Sequence, residues 1–226
     1  MKRSEINHII SKAKDFLTAR QFELPEWALW SLDDWRAHRS EVDYITERML
    51  GWDITDFGSG DYLRRGLFLF TLRNGKPGAD RKPYAEKIMM VEEGQETPMH
   101  FHWSKMEDII NRGGGHLVIE LYNTTADEKL DTTPVSFRID GLPRQIEAGK
   151  PFVLLPGQSI CMEQRVYHRF YGEPGHGTVM VGEVSQCNDD TSDNRFLETL
   201  GRFPDIVEDE VPLHLLCSDY AKFLLP

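Results

Sequence analysis

Apolar residues near the start of the chain fall three and four apart: Ile6, Ile9, Ile10, Ala13, Phe16 and Leu17. That period predicts an amphipathic helix over residues 4–20, with Ser4 as its N-cap. A second helical stretch is predicted after Trp27 and Trp30. There Ser31-Leu32-Asp33-Asp34 has the form of a capped start, and Tyr44, Ile45, Met49 and Leu50 recur near the same period. From Tyr62 the texture changes. Short apolar runs, Leu67 to Leu72 and Lys87 to Val91, stop at Asn74-Gly75 and Glu93-Gly94, and further breaks stand at Gly113-Gly114-Gly115, Asp140-Gly141, Pro156-Gly157 and Gly172-Glu173-Pro174-Gly175. Runs this short and this regularly broken predict an antiparallel sandwich or barrel. Helical character returns after Arg195, with a short helix around residues 219–224. The expectation is a mainly β protein in one domain: an N-terminal helical extension over residues 1–60, a β-barrel over 61–194 and a helical or loop tail over 195–226.

Charge narrows the choice of partners. The 226 residues carry 26 Lys and Arg against 37 Asp and Glu, a formal net charge of -11, which repels phosphate backbones and anionic lipid. Neither nucleic acid nor a membrane is expected as a partner. The longest apolar run, Gly66 to Leu72, is too short to span a bilayer, and the basic start Met1-Lys2-Arg3 has no apolar stretch behind it, so a cytoplasmic location is expected. Cys161, Cys187 and Cys217 are odd in number and far apart, which reads as three reduced thiols.

Chemistry concentrates in the segment from Gly94 to Gly114. His100 and His102 alternate on a predicted strand, so both imidazoles leave the same face, about 7 Å apart along the chain, and can converge on one ion. Four residues then separate His102 from Glu107, enough to turn a corner and bring a carboxylate to the same centre. Such a donor set suits Mn, Fe, Co, Ni or Zn better than Mg or Ca. A fourth ligand has to come from elsewhere, and His168, in Tyr167-His168-Arg169-Phe170 after the tight Pro156-Gly157 turn, is the candidate. His8, His38, His116, His176 and His214 are assigned no metal role.

The spacing Gly94-x5-His100-x-His102-x4-Glu107-x6-Gly114 resembles the first motif of the cupin superfamily at every defined position, and Gly149, Pro156-Gly157 and His168 follow in the order of the second. Over roughly residues 85–186 the resemblance implies a jelly-roll barrel with a divalent metal inside it, and a homodimer as the common assembly. Open edge strands give a physical reason to expect a dimer. Over nearly the whole chain, and most clearly through Thr97 to His102, Lys105 to Gly115 and Glu183 to Asp190, the sequence is similar to the cupin-type D-lyxose isomerases. That resemblance implies reversible aldose-to-ketose conversion, D-lyxose to D-xylulose and also D-mannose to D-fructose. It also implies a divalent cation, typically Mn²⁺, with Co²⁺, Fe²⁺, Ni²⁺ or Zn²⁺ as alternatives.

The residues make sense of such a reaction. Three imidazoles and a carboxylate leave an octahedral ion two positions for adjacent sugar oxygens, and the reaction further needs groups that move a proton between C1 and C2. Charges within apolar strands are the candidates, because burying them is costly. Lys87 shares a strand face with Met89 and Val91, and Glu183 is the sole charge in Thr178 to Ser185; these two are expected to be catalytic. Glu120 is a weaker rival of the same kind. Phe170, among the aromatics around the ligands, is expected to stack on the sugar, and Arg195 and Asp193, with Asp189 and Asp190, to bind its hydroxyls from a rim loop. Two other readings stay open: an Fe(II)-dependent cupin dioxygenase, whose pocket needs few titratable groups beyond the ligands, and a sugar-binding cupin without turnover.

Overall fold

The computed structural model describes residues 1–224 except 77, 80, 188, 190 and 191. The first helix, α1 (Arg3–Thr18), starts one residue ahead of Ser4, whose hydroxyl bonds Asp209 instead of capping the helix. The second predicted helix is two short ones, α2 (Leu32–Ala37) and α3 (Asp43–Glu47). Ser31 does cap α2, accepting from the Asp34 amide while Asp34 accepts from that of Ser31. The break has a simple cause: residues 38–41 carry no apolar side chain to bury, and Val42 turns into a cluster with Trp35, Leu215 and Tyr220. The tail closes on α4 (Tyr220–Phe223), after a 3₁₀ turn over Cys217–Asp219.

Between these helices run the strands β1 (Gly51–Thr55), β2 (Leu67–Arg73), β3 (Tyr84–Val91), β4 (Thr97–Phe101), β5 (Glu107–Gly114), β6 (Leu117–Thr124) and β7 (Leu130–Asp131). They continue with β8 (Val135–Ile139), β9 (Leu142–Ile146), β10 (Phe152–Leu154), β11 (Ser159–Met162), β12 (Tyr167–Gly172), β13 (Val179–Gln186) and β14 (Arg195–Phe196). Among the described residues they form two antiparallel sheets, one ordered β1-β2-β3-β13-β5-β11-β8-β9 and the other β10-β6-β12-β4-β14 with β7 beside β6. The sheets curl over one another as a jelly-roll barrel, the cupin architecture expected. Strand structure begins ahead of residue 61 and extends past 194, because β1 pairs along β2 and β14 along β4. Trp52 and Ile54, alternating with Asp53 and Thr55, are too short a pattern to stand out from the helical stretch before them.

The β1-β2-β3 part of the larger sheet is buried on both faces, which is why β2 and β3 read as continuous apolar runs. Leu69, Met89 and Val91 point into the barrel with Ile109, Ile119, Leu121 and Val181, while Phe68, Phe70, Ile88 and Met90 point outward onto Ile6, Ile10, Ala13 and Leu17 of α1. Strand alternation thus decides that Lys87, in phase with Met89, faces the interior. Trp52 packs in the same outer layer and donates to the Ala28 carbonyl at 2.7 Å, satisfying the indole N–H in an otherwise apolar seam. Cys161, Cys187 and Cys217 are free thiols.

Candidate active site

The corner after β4 does what the spacing suggested, and more: β4 belongs to the smaller sheet and β5 to the larger, so residues 102–106 cross the barrel mouth. His100 lies directly opposite His168 in the β4–β12 ladder. The ring centroids of His100 stand 4.1 Å from His168 and 5.0 Å from His102, and one nitrogen of each of the three rings falls within 4.8 Å of the others. All three side chains are buried.

Their outward nitrogens are spoken for. Nδ1 of His100 bonds the Pro98 carbonyl at 2.8 Å, Nδ1 of His102 the Asp193 carbonyl at 2.8 Å and Nδ1 of His168 the Val166 carbonyl at 3.0 Å. A carbonyl only accepts, so each Nδ1 carries the hydrogen, and in the neutral ring each Nε2 presents a lone pair. Burial, reinforced by the neighbouring histidines, pushes His100 well below the ordinary imidazole range, and burial with the Lys105 charge lowers His102. Glu107 Oε1 sits 3.1 Å from Nε2 of His168 and 3.6 Å from Nε2 of His102, and among the described residues the His168 atom has no hydrogen-bond partner. Lone pairs facing a carboxylate oxygen in a dry pocket repel one another unless a cation lies between them. Three oriented imidazoles and a carboxylate therefore fit a divalent transition metal, their tautomers fixed by the backbone.

Beside this group lies a second one. Glu183, opposite Lys87 in the β13–β3 ladder, has its Oε1 3.6 Å from Lys87 Nζ, 2.9 Å from Lys105 Nζ and 2.9 Å from the Ser185 hydroxyl, which donates to it. Lys105 also reaches Glu107 Oε2 at 2.6 Å, so one ammonium bridges both carboxylates. Burial drives Glu183 upward, but the Lys105 and Lys87 charges outweigh it and hold the carboxylate below its ordinary range. Glu107 is likewise pushed up by burial and pulled well down by Lys105 and His102. Both acids therefore stay ionised in a nearly water-free setting.

These groups line a cavity of about 40 Å³ together with Phe57, Leu69, Thr97, Phe170, Asn194, Phe196 and Arg202. Lys87, Glu183 and Phe170 thus stand on its wall. Asp193 and Arg195 are not on its wall. The Asp193 carboxylate accepts the backbone amides of Ser104 at 2.8 Å and Lys105 at 3.0 Å, which commits it to holding the corner that carries His102. Arg195 turns to Glu128, its Nε 3.1 Å away, and to the Phe196 carbonyl. Their neighbours Asn194 and Phe196 face the cavity instead, since alternation along an extended segment sends adjacent side chains to opposite sides. Asp189 accepts from the Ser192 hydroxyl, away from the cavity, and Asp190 lies outside the described residues. Glu120 pairs with Arg169 at 2.9 Å. Two charged residues on the wall escaped sequence reasoning. Lys105 had a signal, a lone cation between two ligands of one motif; Arg202, held by Asp53 at 2.5 Å, had none because its partner is 149 positions away.

The model of the D-lyxose isomerase family matches residues 1–220. The chain belongs to that family. The D-lyxose/D-mannose isomerase of Serratia proteamaculans is 48% identical over 227 residues, 99% of this chain and 100% of that protein, and its counterpart from Escherichia coli O157:H7 is 45% identical over 226 residues, again 99% and 100%. This member of the D-lyxose isomerase family is accordingly an aldose–ketose isomerase. Its fold is shared with the L-ribose isomerase of Cellulomonas parahominis, solved with L-ribose, at a TM-score of 0.57 and 17% identity, covering 92% of this chain and 98% of that one. The L-ribose isomerase of Acinetobacter sp. DL28 in complex with L-ribose gives a TM-score of 0.55 at 16% identity, covering 88% and 93%.

Proposed function

We propose that this chain interconverts D-lyxose and D-xylulose, and D-mannose and D-fructose, with one divalent cation, Mn²⁺ in the working enzyme, held by His100, His102, Glu107 and His168. The reading rests on a single observation: a buried carboxylate, Glu183, stands between two lysines beside a ready-made cation site, on the wall of the same cavity. When bound, the cation supplies Lewis acidity toward two adjacent sugar oxygens and so acidifies the C–H between them.

The chain's own residues carry the protons. Glu183, kept ionised by Lys105 and Lys87, takes the proton from C2 of the aldose and returns it to C1, and Lys87 passes a proton between O2 and O1 as the carbonyl changes place. Phe170 and Phe196 present apolar faces to the C–H side of the sugar, and Arg202 and Asn194 offer hydrogen bonds to its distal hydroxyls. Ligand sites usually measure about 300–1,000 Å³, so entry of a sugar requires the wall formed by Asn194, Phe196 and Arg202 to move outward. A dioxygenase is not favoured, since Lys87, Lys105 and Glu183 crowd the cavity with titratable groups that oxygen chemistry does not call for. A homodimer and a cytoplasmic location belong to the same proposal, with the open strand edges supporting the first.

The test is incubation of D-lyxose or D-mannose with the protein and Mn²⁺ in D₂O, followed by NMR. Ketose is expected, and the share of it that carries deuterium at C1 reads how far the proton held by Glu183 exchanges with solvent before it is returned. If neither sugar yields ketose, isomerisation of these substrates is wrong, and sugar binding without turnover becomes the better account.

A further inference from the structure

At the other end of the barrel strands, two turns bring together His116, Glu173 and His176, none of which the isomerase site uses. The β12–β6 ladder pairs His168 with Leu121 and Gly172 with Leu117, so this cluster lies four to five residues further along, roughly 15 Å from the cation site at strand rise. His116 Nδ1 sits 2.7 Å from Glu173 Oε2, and His176 Nε2 is 3.5 Å from the same oxygen. The two imidazoles stack with centroids 4.0 Å apart and planes 20° from parallel. A nitrogen from each ring and a carboxylate oxygen thereby lie within 4.8 Å of one another.

The backbone holds this arrangement independently of the three side chains. Glu93 accepts the amides of Gly175 at 3.0 Å and Gly177 at 2.5 Å, and those bonds pull its carboxylate below the ordinary range. The Glu173 amide donates to the His116 carbonyl at 2.9 Å, and the Gly115 amide to the Thr178 carbonyl at 3.0 Å. A Cβ on Gly115 would fall 2.0 Å from the Gly177 carbonyl oxygen, so the two turns approach as closely as glycine allows. With the backbone fixed, only side-chain rotation, turning the two rings out of their stack, is needed to aim their nitrogen lone pairs at one ion.

We propose that His116, Glu173 and His176 form a second, surface metal site for a divalent transition ion such as Zn²⁺, Ni²⁺ or Cu²⁺. Two imidazoles and one carboxylate give a three-ligand set with a position left for water, and the nitrogen donors select against Ca²⁺ and Mg²⁺, which need oxygen cages. Side-chain exposures of 29, 31 and 45% for His116, Glu173 and His176 leave a hydrated ion room to enter. Bound there, the ion clips the β5–β6 turn to the β12–β13 turn and stabilises the folded chain by mass action.

The experiment counts ions. Untagged full-length protein, stripped with a chelator, is titrated with Zn²⁺ alongside His116→Gln/His176→Gln and Glu173→Gln, each checked for a normal melting curve in chelator. The wild type should bind one equivalent more than the double variant and should gain more in melting temperature from Zn²⁺, while the Mn²⁺-supported isomerase rates of the two are the same. Cu²⁺ bound to the wild type should also show a nitrogen-coordinated resonance that the double variant loses. Equal Zn²⁺ equivalents in wild type and double variant would overturn the proposal, leaving His116 and Glu173 as a hydrogen-bonded pair. Because the comparison is a difference between chains that share the barrel residues, it stands or falls apart from the sugar reaction.

Discussion

Two groups of buried charges in this molecule are built in opposite ways. At the start of α1, Arg3 is completely buried and matched at four of its five N–H donors: its guanidinium gives two bonds to Glu208 and two to Asp219, all at 2.8 Å. In the barrel, Lys87, Lys105, Glu107 and Glu183 gather around a cavity, three imidazole lone pairs face inward beside them, and among the described residues nothing hydrogen-bonds His168 Nε2. The first arrangement ties together segments more than 200 residues apart and leaves no hydrogen of the guanidinium fork idle, apart from one on Nη1. The second leaves lone pairs over for something that must come from outside. Buried charge by itself is ambiguous; what distinguishes structure from function here is whether the hydrogen bonds close within the chain.

The sharpest way to break that comparison is Glu183→Gln, which keeps the shape and removes the carboxylate proposed as the base. A fall in kcat of about 10²–10⁴-fold per folded molecule is expected, beside a lower melting temperature because Lys87 and Lys105 lose a buried counter-charge; steady-state kinetics beside a thermal melt would expose a fully active variant. Arg3→Leu reverses the pattern. It strands Asp219 in the interior and should cost about 3–5 kcal/mol in a denaturant titration, with kcat per folded molecule unaltered.

Asp193→Ala separates two readings of one residue. If the carboxylate positions the corner, metal affinity drops by about 10–100-fold, whereas a hydroxyl-binding carboxylate would raise KM and leave metal affinity alone. The smallest effect concerns pH. Hydrogen bonds from Arg3, with Lys222 helping, lower Glu208 from 4.5 to about 2. The native state then binds fewer protons than the unfolded one in that interval, so the stability Glu208 adds is full above pH 4.5 and is lost as pH falls toward 2. Denaturation midpoints of the wild type and Glu208→Gln should converge over that window, and a constant gap would contradict the pairing.

How far the sequence could be read depended on periodicity. His100 and Lys87 sit in strands and His102 directly follows β4, so the two-residue repeat set the face of each side chain and their direction was legible from the alternation alone. The neighbours of Glu183 gave the same information through their apolar character. Asp193 and Arg195 were misplaced because the segment after β13 has no apolar alternation to set its phase, and an error of one position exchanges Asn194 and Phe196 for them. The second helix was read as one because Tyr44 and Ile45 kept the helical period, although nothing between Ala37 and Val42 could be buried.

By itself, then, the sequence determined the strand-rich middle, the amphipathic first helix and the metal-binding motif, since each depends on residues within a few positions of one another. Only the tertiary structure decided that Lys105 bridges Glu107 and Glu183, that Arg202 reaches the cavity through Asp53, that Arg3 closes on Glu208 and Asp219, and that His116 meets Glu173. Those contacts join residues 57 to 216 positions apart, apart from the bond between Lys105 and Glu107. No local pattern encodes them, because their energy is realised only after the sheets have paired and brought the distant segments together.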